Sequence, residues 1–155
     1  MKHSMDPVVV TADARQVVMY SVSRTESGRP HLEVARRMVC RESPTEHHRP
    51  SALGRGPSAN AAQHFADESG VDAEDRRRFA REVADWLRDL VRAESSPRVE
   101  LFAAPRFLGS LRAELSSAPN RITLHEGELT RLDAGELAEH PAVKAVLRPH
   151  VARTT

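Results

Sequence analysis

Carboxylates at the ends of predicted strands are the first residues that could support chemistry. Hydrolysis of phosphodiesters with two Mg²⁺ ions needs several carboxylates that converge on the ions from different elements. Asp13 lies in a turn after the first predicted strand, and a later strand ends at Ala104 without an acid. Glu100 comes too early in that later strand to join such a site. The carboxylate set is incomplete, so a metal-dependent hydrolase ranks third among the functions considered below.

Histidine, cysteine and loop patterns add no stronger sign of catalysis. His47 and His48 are adjacent, so their side chains point apart, and the helical spacing of His64 to the acids after it is weak evidence for a metal. The sequence has neither a Gly-x-Ser-x-Gly nucleophile elbow nor a Gly-x-x-x-x-Gly-Lys phosphate loop. Cys40 is the only cysteine, which rules out an internal disulfide. We expect no catalytic residues, metal, cofactor or enzymatic activity.

Positive charge gathers in one segment of an almost neutral chain. The protein has 23 Lys and Arg against 22 Asp and Glu, so any basic surface must be local. Between residues 36 and 64, five arginines and three histidines stand against two glutamates. Such a segment can contact RNA phosphates, although the loop has no aromatic side chain before Phe65 to stack a base, and a solvated loop is the alternative. The candidate RNA- or partner-binding residues in this segment are Arg41, His47, His48, Arg49 and Arg55.

Length and composition predict a soluble protein with a single domain. With 155 residues, 39% of them hydrophobic, the chain can build one sizeable core. No apolar run approaches the roughly 20 residues of a membrane-spanning helix. The first residues also lack the apolar centre of a signal peptide. We expect a cytoplasmic protein with no membrane partner.

The first part of the chain predicts an antiparallel arrangement of three strands. Val8-Val9-Val10 is a continuous β-branched run, typical of a strand buried on both faces. Two more strands follow over 16–23 and 32–40, and the short turns between them favour hairpin pairing. From 41 to about 72 the pattern dissolves into a long flexible loop, which is uncommon in a compact domain unless it is functional or disordered.

The second part alternates helices with strands. Apolar spacing predicts a helix over 72–94, a strand from Val99 and a helix from Pro105, where proline suits the first turn. Another strand follows over 121–125. Two short helices close the chain, and a capping box at Asp133 begins the first of them.

This order of elements predicts a single α/β domain over residues 1–155. Three antiparallel strands followed by a strand-helix-strand unit give a mixed five-stranded sheet whose last two strands are parallel, covered by helices. Ribonuclease H-like folds share this order of elements.

Three stretches of the sequence resemble characteristic motifs of one family. They are Ala12–Tyr20, which resembles the first hairpin of the family, Ala104–Arg112, which resembles its most characteristic motif, and Glu128–Leu132 with Glu136-Leu137, which resembles its C-terminal signature. The family is the bacterial host-attachment protein family, also described as bacterial relatives of the archaeo-eukaryotic release factors. We call these segments the motif stretches. The motif residues are Ala12, Asp13, Pro105, Arg106, Phe107, Leu108, Gly109, Leu129, Thr130 and Leu132.

The resemblance implies a ribonuclease H-like domain similar to the middle domain of class I release factors. In those proteins a Gly-Gly-Gln loop ahead of the long helix reaches the peptidyl-transferase centre. The matching segment here has Gly54-Arg55-Gly56 and no Gly-Gly-Gln. We therefore expect a non-catalytic translation- or RNA-associated binding module whose partner is the ribosome or RNA. The alternative is a protein-interaction factor linked to attachment to host cells, with a protein as its partner.

Arg106 is the motif residue that helix and core formation leave unexplained. Pro105, Phe107 and Leu108 suit the start and the apolar face of a helix, but a cation in the first turn opposes the helix dipole. A salt bridge to an acid such as Asp13 would explain Arg106, and so would contact with an anion or RNA. We count Arg106 among the candidate binding residues.

Overall fold

A computed structural model of the protein describes residues 7–41, 72–92, 98–116 and 121–148. Most of the long loop expected at 41–72 lies outside these ranges. The candidate binding residues that lie outside them are His47, His48, Arg49 and Arg55. Their role in binding stays a prediction.

Five strands form one mixed, open sheet. In chain order they are β1 (Val8–Ala12), β2 (Gln16–Arg24), β3 (Pro30–Val39), β4 (Val99–Ala103) and β5 (Ile122–Glu126). Their order across the sheet is β3-β2-β1-β4-β5. β1 pairs antiparallel with β2 and parallel with β4, β2 pairs antiparallel with β3, and β4 pairs parallel with β5. The predicted α/β class and mixed five-stranded sheet are confirmed.

β1 occupies the centre of the sheet. Val9, Val10 and Ala12 have no exposed surface, as the continuous β-branched run predicts. Val10 and Ala12 join the hydrophobic core on one face of the sheet, while Val9 joins the core on the other. Thr11 is fully buried as well.

One residue of β3, Ala35, bulges out of the pairing with β2. Side chains alternate between the two faces of a strand, and an extra residue reverses the alternation beyond it. Val34 before the bulge and Arg37 after it therefore share one face of the sheet. Arg36 lies on the opposite face, with its guanidinium carbon 5.7 Å from the centre of the Trp86 ring.

Helices cover both faces of the sheet. The helices are α1 (Asp72–Arg92), α2 (Pro105–Glu114), α3 (Ala134–Glu139) and α4 (Pro141–Leu147). α1 and α2 pack on one face, where the rings of Phe79 and Phe107 stack with their centres 5.7 Å apart. α3 and α4 pack on the other face, through Leu137, Val143 and Leu147. Among the helices that the structure describes, none combines the length and apolar character needed to cross a membrane.

Local signals set the starts of three helices, and two of these starts, at Pro105 and after Asp133, are the ones that the sequence predicts. Pro105 is the first residue of α2 and follows an extended Ala104. Before α3, the Asp133 carboxylate accepts a hydrogen bond from the Glu136 amide at 2.8 Å, and the Glu136 carboxylate accepts one from the Asp133 amide at 2.9 Å. Before α4, the His140 ring accepts a hydrogen bond from the amide of Ala142.

Gly109→Ala should stabilise the protein. Gly109 is exposed within α2, and a Cβ built there meets no atom within 4 Å. Glycine in a helix costs about 0.5–1 kcal/mol relative to alanine, so the free energy of unfolding should rise by about that amount. Urea denaturation measures the change.

Gly28→Ala is the matched control for that substitution. Gly28 lies in the turn between β2 and β3 with φ +80°, a backbone conformation that L side chains rarely adopt. We expect this substitution to lower the free energy of unfolding. A loss of stability in Gly109→Ala would contradict the prediction.

Candidate functional site

The three motif stretches meet at one edge of the sheet. Since β1, β4 and β5 are parallel, their carboxyl ends lie side by side, and each motif stretch begins at or just beyond one of these ends. The Ala104 amide donates a hydrogen bond to the Ala12 carbonyl at 3.3 Å, and the Gly127 amide donates one to the Ala103 carbonyl at 2.9 Å. Segments far apart in sequence thus form one surface, which we call the carboxyl edge.

The Asp13 carboxylate ties the first motif stretch to the third. Its Oδ1 accepts hydrogen bonds from the amides of Arg15, at 2.7 Å, and Gln16, at 2.9 Å, which closes the tight turn between β1 and β2. Its Oδ2 accepts a hydrogen bond from the Thr130 hydroxyl at 2.8 Å. Asp13 therefore holds the loop between β5 and α3 against the start of β2.

The motif residues divide between the core and the surface. The buried ones are Ala12, Phe107, Leu108 and Leu129. The half-buried ones are Asp13, Thr130 and Leu132, and the exposed ones are Pro105, Arg106 and Gly109. Packing in the hydrophobic core accounts for the buried motif residues. The exposed ones lie on α2, which begins at the carboxyl edge, and are accessible to a partner.

Arg106 is exposed in the first turn of α2. The hydrogen bonds that the Asp13 carboxylate accepts come from the Thr130 hydroxyl and from backbone amides. A salt bridge of Arg106 stays a prediction. Contact of Arg106 with an anion stays a prediction.

Arg41 lies just beyond β3, where the chain approaches α1. Its carbonyl accepts a hydrogen bond from Arg78 Nη2 at 2.7 Å, and the same nitrogen lies 2.7 Å from Asp75 Oδ1. Asp75 is only 7% exposed. These contacts fix the end of β3 against the first turns of α1 and leave the Arg41 side chain on the surface.

A pocket opens beside the Asp13–Thr130 hydrogen bond. It has a volume of about 310 Å³ and lies between strands β2 and β3 and the loop that precedes α3. We call it the β2–β3 pocket. The lining residues that matter below are Gln16, Tyr20, Val34, Arg37, Thr130 and Arg131. Thr130 thus belongs both to the hydrogen bond with Asp13 and to the wall of the pocket.

The charged side chains of this pocket differ in whether they make hydrogen bonds within the protein. Asp133 also lines it, but the Asp133 carboxylate caps α3. Arg37 and Arg131 are exposed, and within the described residues neither side chain forms a salt bridge or a hydrogen bond. The pocket therefore presents two guanidinium groups without salt bridges among the described residues, beside one carboxylate, that of Asp133. Neither was predicted as a site residue, although Arg131 lies within the third motif stretch and Arg37 within the positively charged segment, because the pocket joins segments that are remote in sequence.

The charges and burial of the pocket change the pKa of the Tyr20 phenol. Burial raises the pKa of its phenol above the ordinary value, and the Asp133 carboxylate adds to the increase. The positive charge of Arg37 lowers the pKa of Tyr20 and opposes part of the effect of burial, as does the neighbouring Thr11 hydroxyl. Thr11 lies near enough to favour the phenolate, but it makes no hydrogen bond of ordinary geometry with any described residue.

A second polar cluster lies inside the sheet, where sequence analysis did not expect one. Glu100 on β4 is 6% exposed and lies 2.6 Å from His125 Nε2 and 3.2 Å from Arg98 Nε. The His125 ring stacks on Phe102 with the ring centres 4.8 Å apart. These contacts compensate the burial of a carboxylate. The sequence sign of this cluster was the position of Glu100 between Val99 and Leu101 in a predicted buried strand.

No metal-binding cluster appears in the part of the chain that the structure describes. A group of three or more His, Cys, Asp or Glu side chains with the geometry for a metal ion is absent there. The carboxyl edge carries exposed arginines, the exposed acids Glu126 and Glu128, the hydrogen-bonded loop and a partly polar pocket.

Comparison with known proteins adds one finding. A family model described as a protein required for attachment to host cells matches residues 8–140. The matched range runs from the first residue of β1 to the residue after α3 and contains the whole carboxyl edge. No curated protein matches the chain.

Thr130→Val should loosen the loop between β5 and α3. Valine has nearly the shape of threonine but cannot donate to Asp13, and an unsatisfied, partly buried carboxylate oxygen costs about 1–2 kcal/mol. We expect a lower free energy of unfolding and faster amide exchange near Thr130. Thr130→Ser keeps the hydroxyl and is the control, and equal exchange in the two variants would refute the role of this hydrogen bond.

Titration of Tyr20 should show the burial of its phenol. It is the only tyrosine, so the near-ultraviolet absorbance of the phenolate reports this residue alone. We expect ionisation above the ordinary pKa of about 10 while the protein is folded. Because the folded state then holds the proton more tightly than the unfolded state, stability should fall as the pH rises past that ordinary value.

Arg37→Gln should raise the pKa of Tyr20 further, since it removes the charge that favours the phenolate. Arg77→Gln removes an exposed arginine of α1 and should leave the titration unchanged. An unchanged pKa in Arg37→Gln would mean that the guanidinium group does not act on the phenol.

Proposed function

The chain belongs to the family of proteins required for attachment to host cells, and we propose that it serves attachment as a non-catalytic binding protein whose partner is another protein. The observation that carries the proposal is the family match over residues 8–140, which contains every described residue of the carboxyl edge. The family description is the support for attachment. The geometry of the edge supports binding as the means.

The carboxyl edge is the surface that we assign to this binding. In open α/β sheets, ligands are commonly bound outside the carboxyl ends of the strands. Here Asp13 and Thr130 hold a loop in place at those ends through a 2.8 Å hydrogen bond. A loop held in a fixed position loses less entropy on binding than a loose one, which favours affinity.

Binding to RNA or the ribosome is the second candidate function. Exposed arginines lie at the carboxyl edge and could meet phosphates, namely Arg15, Arg41, Arg106 and Arg131. The strand order of three antiparallel strands and a parallel unit is compatible with the ribonuclease H-like, release-factor-like assignment, which we retain as part of this candidate. It ranks second because every Phe, Tyr and Trp ring in the described ranges is buried or half-buried, which leaves little stacking surface for bases.

An adhesion assay tests the first candidate. Cells that lack the protein should attach poorly to host cells, and the wild-type protein should restore attachment. Thr130→Ser should restore it as well, whereas Thr130→Val, which loosens the same loop, should restore less. Immunoblotting controls for equal amounts of each variant.

Two results would contradict this proposal. Normal attachment by cells without the protein would remove the role in attachment. Cosedimentation of the protein with ribosomes that weakens as salt rises, without any change in attachment, would favour the second candidate.

A further inference from the structure

We propose that the β2–β3 pocket and the outer edge of β3 bind an extended, acidic segment of the partner protein, in which apolar side chains stand on either side of a carboxylate. This inference rests on the proposed function and names the chemistry of the partner. The site comprises the pocket residues Arg37 and Arg131 together with Val34 and Val39 of β3.

The first support is charge. Arg37 and Arg131 stand on two walls of the same pocket, one on β3 and the other in the loop before α3. Neither forms an ion pair with any described side chain. The Asp133 carboxylate, which also lines the pocket, accepts the capping hydrogen bond of α3 and forms no salt bridge with either arginine. A guanidinium group binds a carboxylate with two parallel hydrogen bonds, so a partner that brings carboxylates would satisfy both arginines.

The second support is exposed apolar surface on the same face. Val34 is 51% exposed and Val39 is 65% exposed, and these are the large hydrophobic residues that the described structure leaves exposed. Val34 pairs with Tyr20, and Val39 pairs with Gln16, which both line the pocket. The two valines therefore flank Arg37 along β3 and offer apolar contacts on either side of a positive charge.

The bulge at Ala35 produces this arrangement. Without the extra residue, Arg36 rather than Arg37 would share the face of Val34. Arg36 instead lies over Trp86 on the α1 side. The bulge thus sends one arginine to each face and places Arg37 between the valines.

The third support is the position of β3 at the edge of the sheet. β2 is its neighbour on one side, and no described strand pairs with the other side. An extended peptide can add to such an edge through main-chain hydrogen bonds, while pockets for alternate side chains give specificity. The ten residues of β3 are long enough to guide a short extended segment.

A partner protein fits this surface better than a second copy of the chain. Antiparallel pairing with a second β3 would bring Glu33 as the acid of that strand. Glu33 pairs with Ser21, so it faces away from the pocket, and its carboxylate lies 3.2 Å from His31. A second β3 therefore brings no carboxylate to Arg37.

Selection from a random peptide library displayed on phage tests the proposal with the full-length protein. We expect enrichment of peptides that combine Asp or Glu with Val, Ile or Leu. The double variant Arg37→Gln, Arg131→Gln should bind a synthetic peptide of the enriched sequence roughly tenfold more weakly, because two charge-assisted contacts are lost. The double variant Arg77→Gln, Arg112→Gln removes two exposed arginines on the helices and should bind it as the wild type does.

Several results would overturn the proposal. They are enrichment of basic or neutral peptides, absence of any enrichment, equal peptide binding by the two double variants, and binding of oligouridine at this site in place of peptide. Dimers in sedimentation that Val34→Ser dissociates would assign the surface to a second copy.

The adhesion assay separates this inference from the proposed function. If Arg37→Gln, Arg131→Gln restores attachment fully while Thr130→Val does not, the acidic partner is refuted and the role in attachment stands. If cells without the protein attach normally, the role in attachment fails whatever the peptide selection shows.

Discussion

The parallel pairing of β1 with β4 is the constraint on which the rest of the structure depends. β1 is followed at once by the hairpin with β2, yet its other neighbour is a strand about ninety positions later, which the chain reaches only through α1. This pairing aligns Ala12 with Ala103 and so brings the starts of the motif stretches together at one edge. β5 extends the same direction, and the loop beyond it returns to Asp13. The order and direction of the strands therefore bring the motif stretches together, and side-chain contacts such as that of Asp13 with Thr130 add to an edge that the topology has already formed.

Features that depend on neighbouring residues were predictable from the sequence. The buried strand at Val8-Val9-Val10, the start of α2 at Pro105 and the capping box before α3 each involve contacts within a few positions. The bulge at Ala35 was not predictable, because it is a mismatch between two strands and leaves no mark in the alternation of either one alone. The face on which Arg36 and Arg37 lie follows from that mismatch.

The candidate site was predictable only in part for the same reason. The resemblance singled out Asp13 and Thr130, which the structure joins through one hydrogen bond. It could not single out Arg37, because the pocket is built from β2, β3 and a loop more than ninety positions away. The cluster around Glu100 was missed likewise, since His125 reaches it only through the pairing of β4 with β5. Pairing between remote segments is the information that a single sequence does not contain.

The distribution of ion pairs explains why some arginines stay unpaired in a chain whose net charge is +1. On α1, Asp85 pairs with Arg88 and Asp89 with Arg92, so that helix largely neutralises itself. The buried carboxylate of Glu100 lies within ion-pair distance of Arg98 and His125. The Asp13 carboxylate accepts hydrogen bonds from the turn and from the Thr130 hydroxyl. Arg37 and Arg131 at the β2–β3 pocket, by contrast, have no salt-bridge partner among the described residues. Where the acids lie, rather than an excess of arginines, therefore decides which guanidinium groups stay open to a partner.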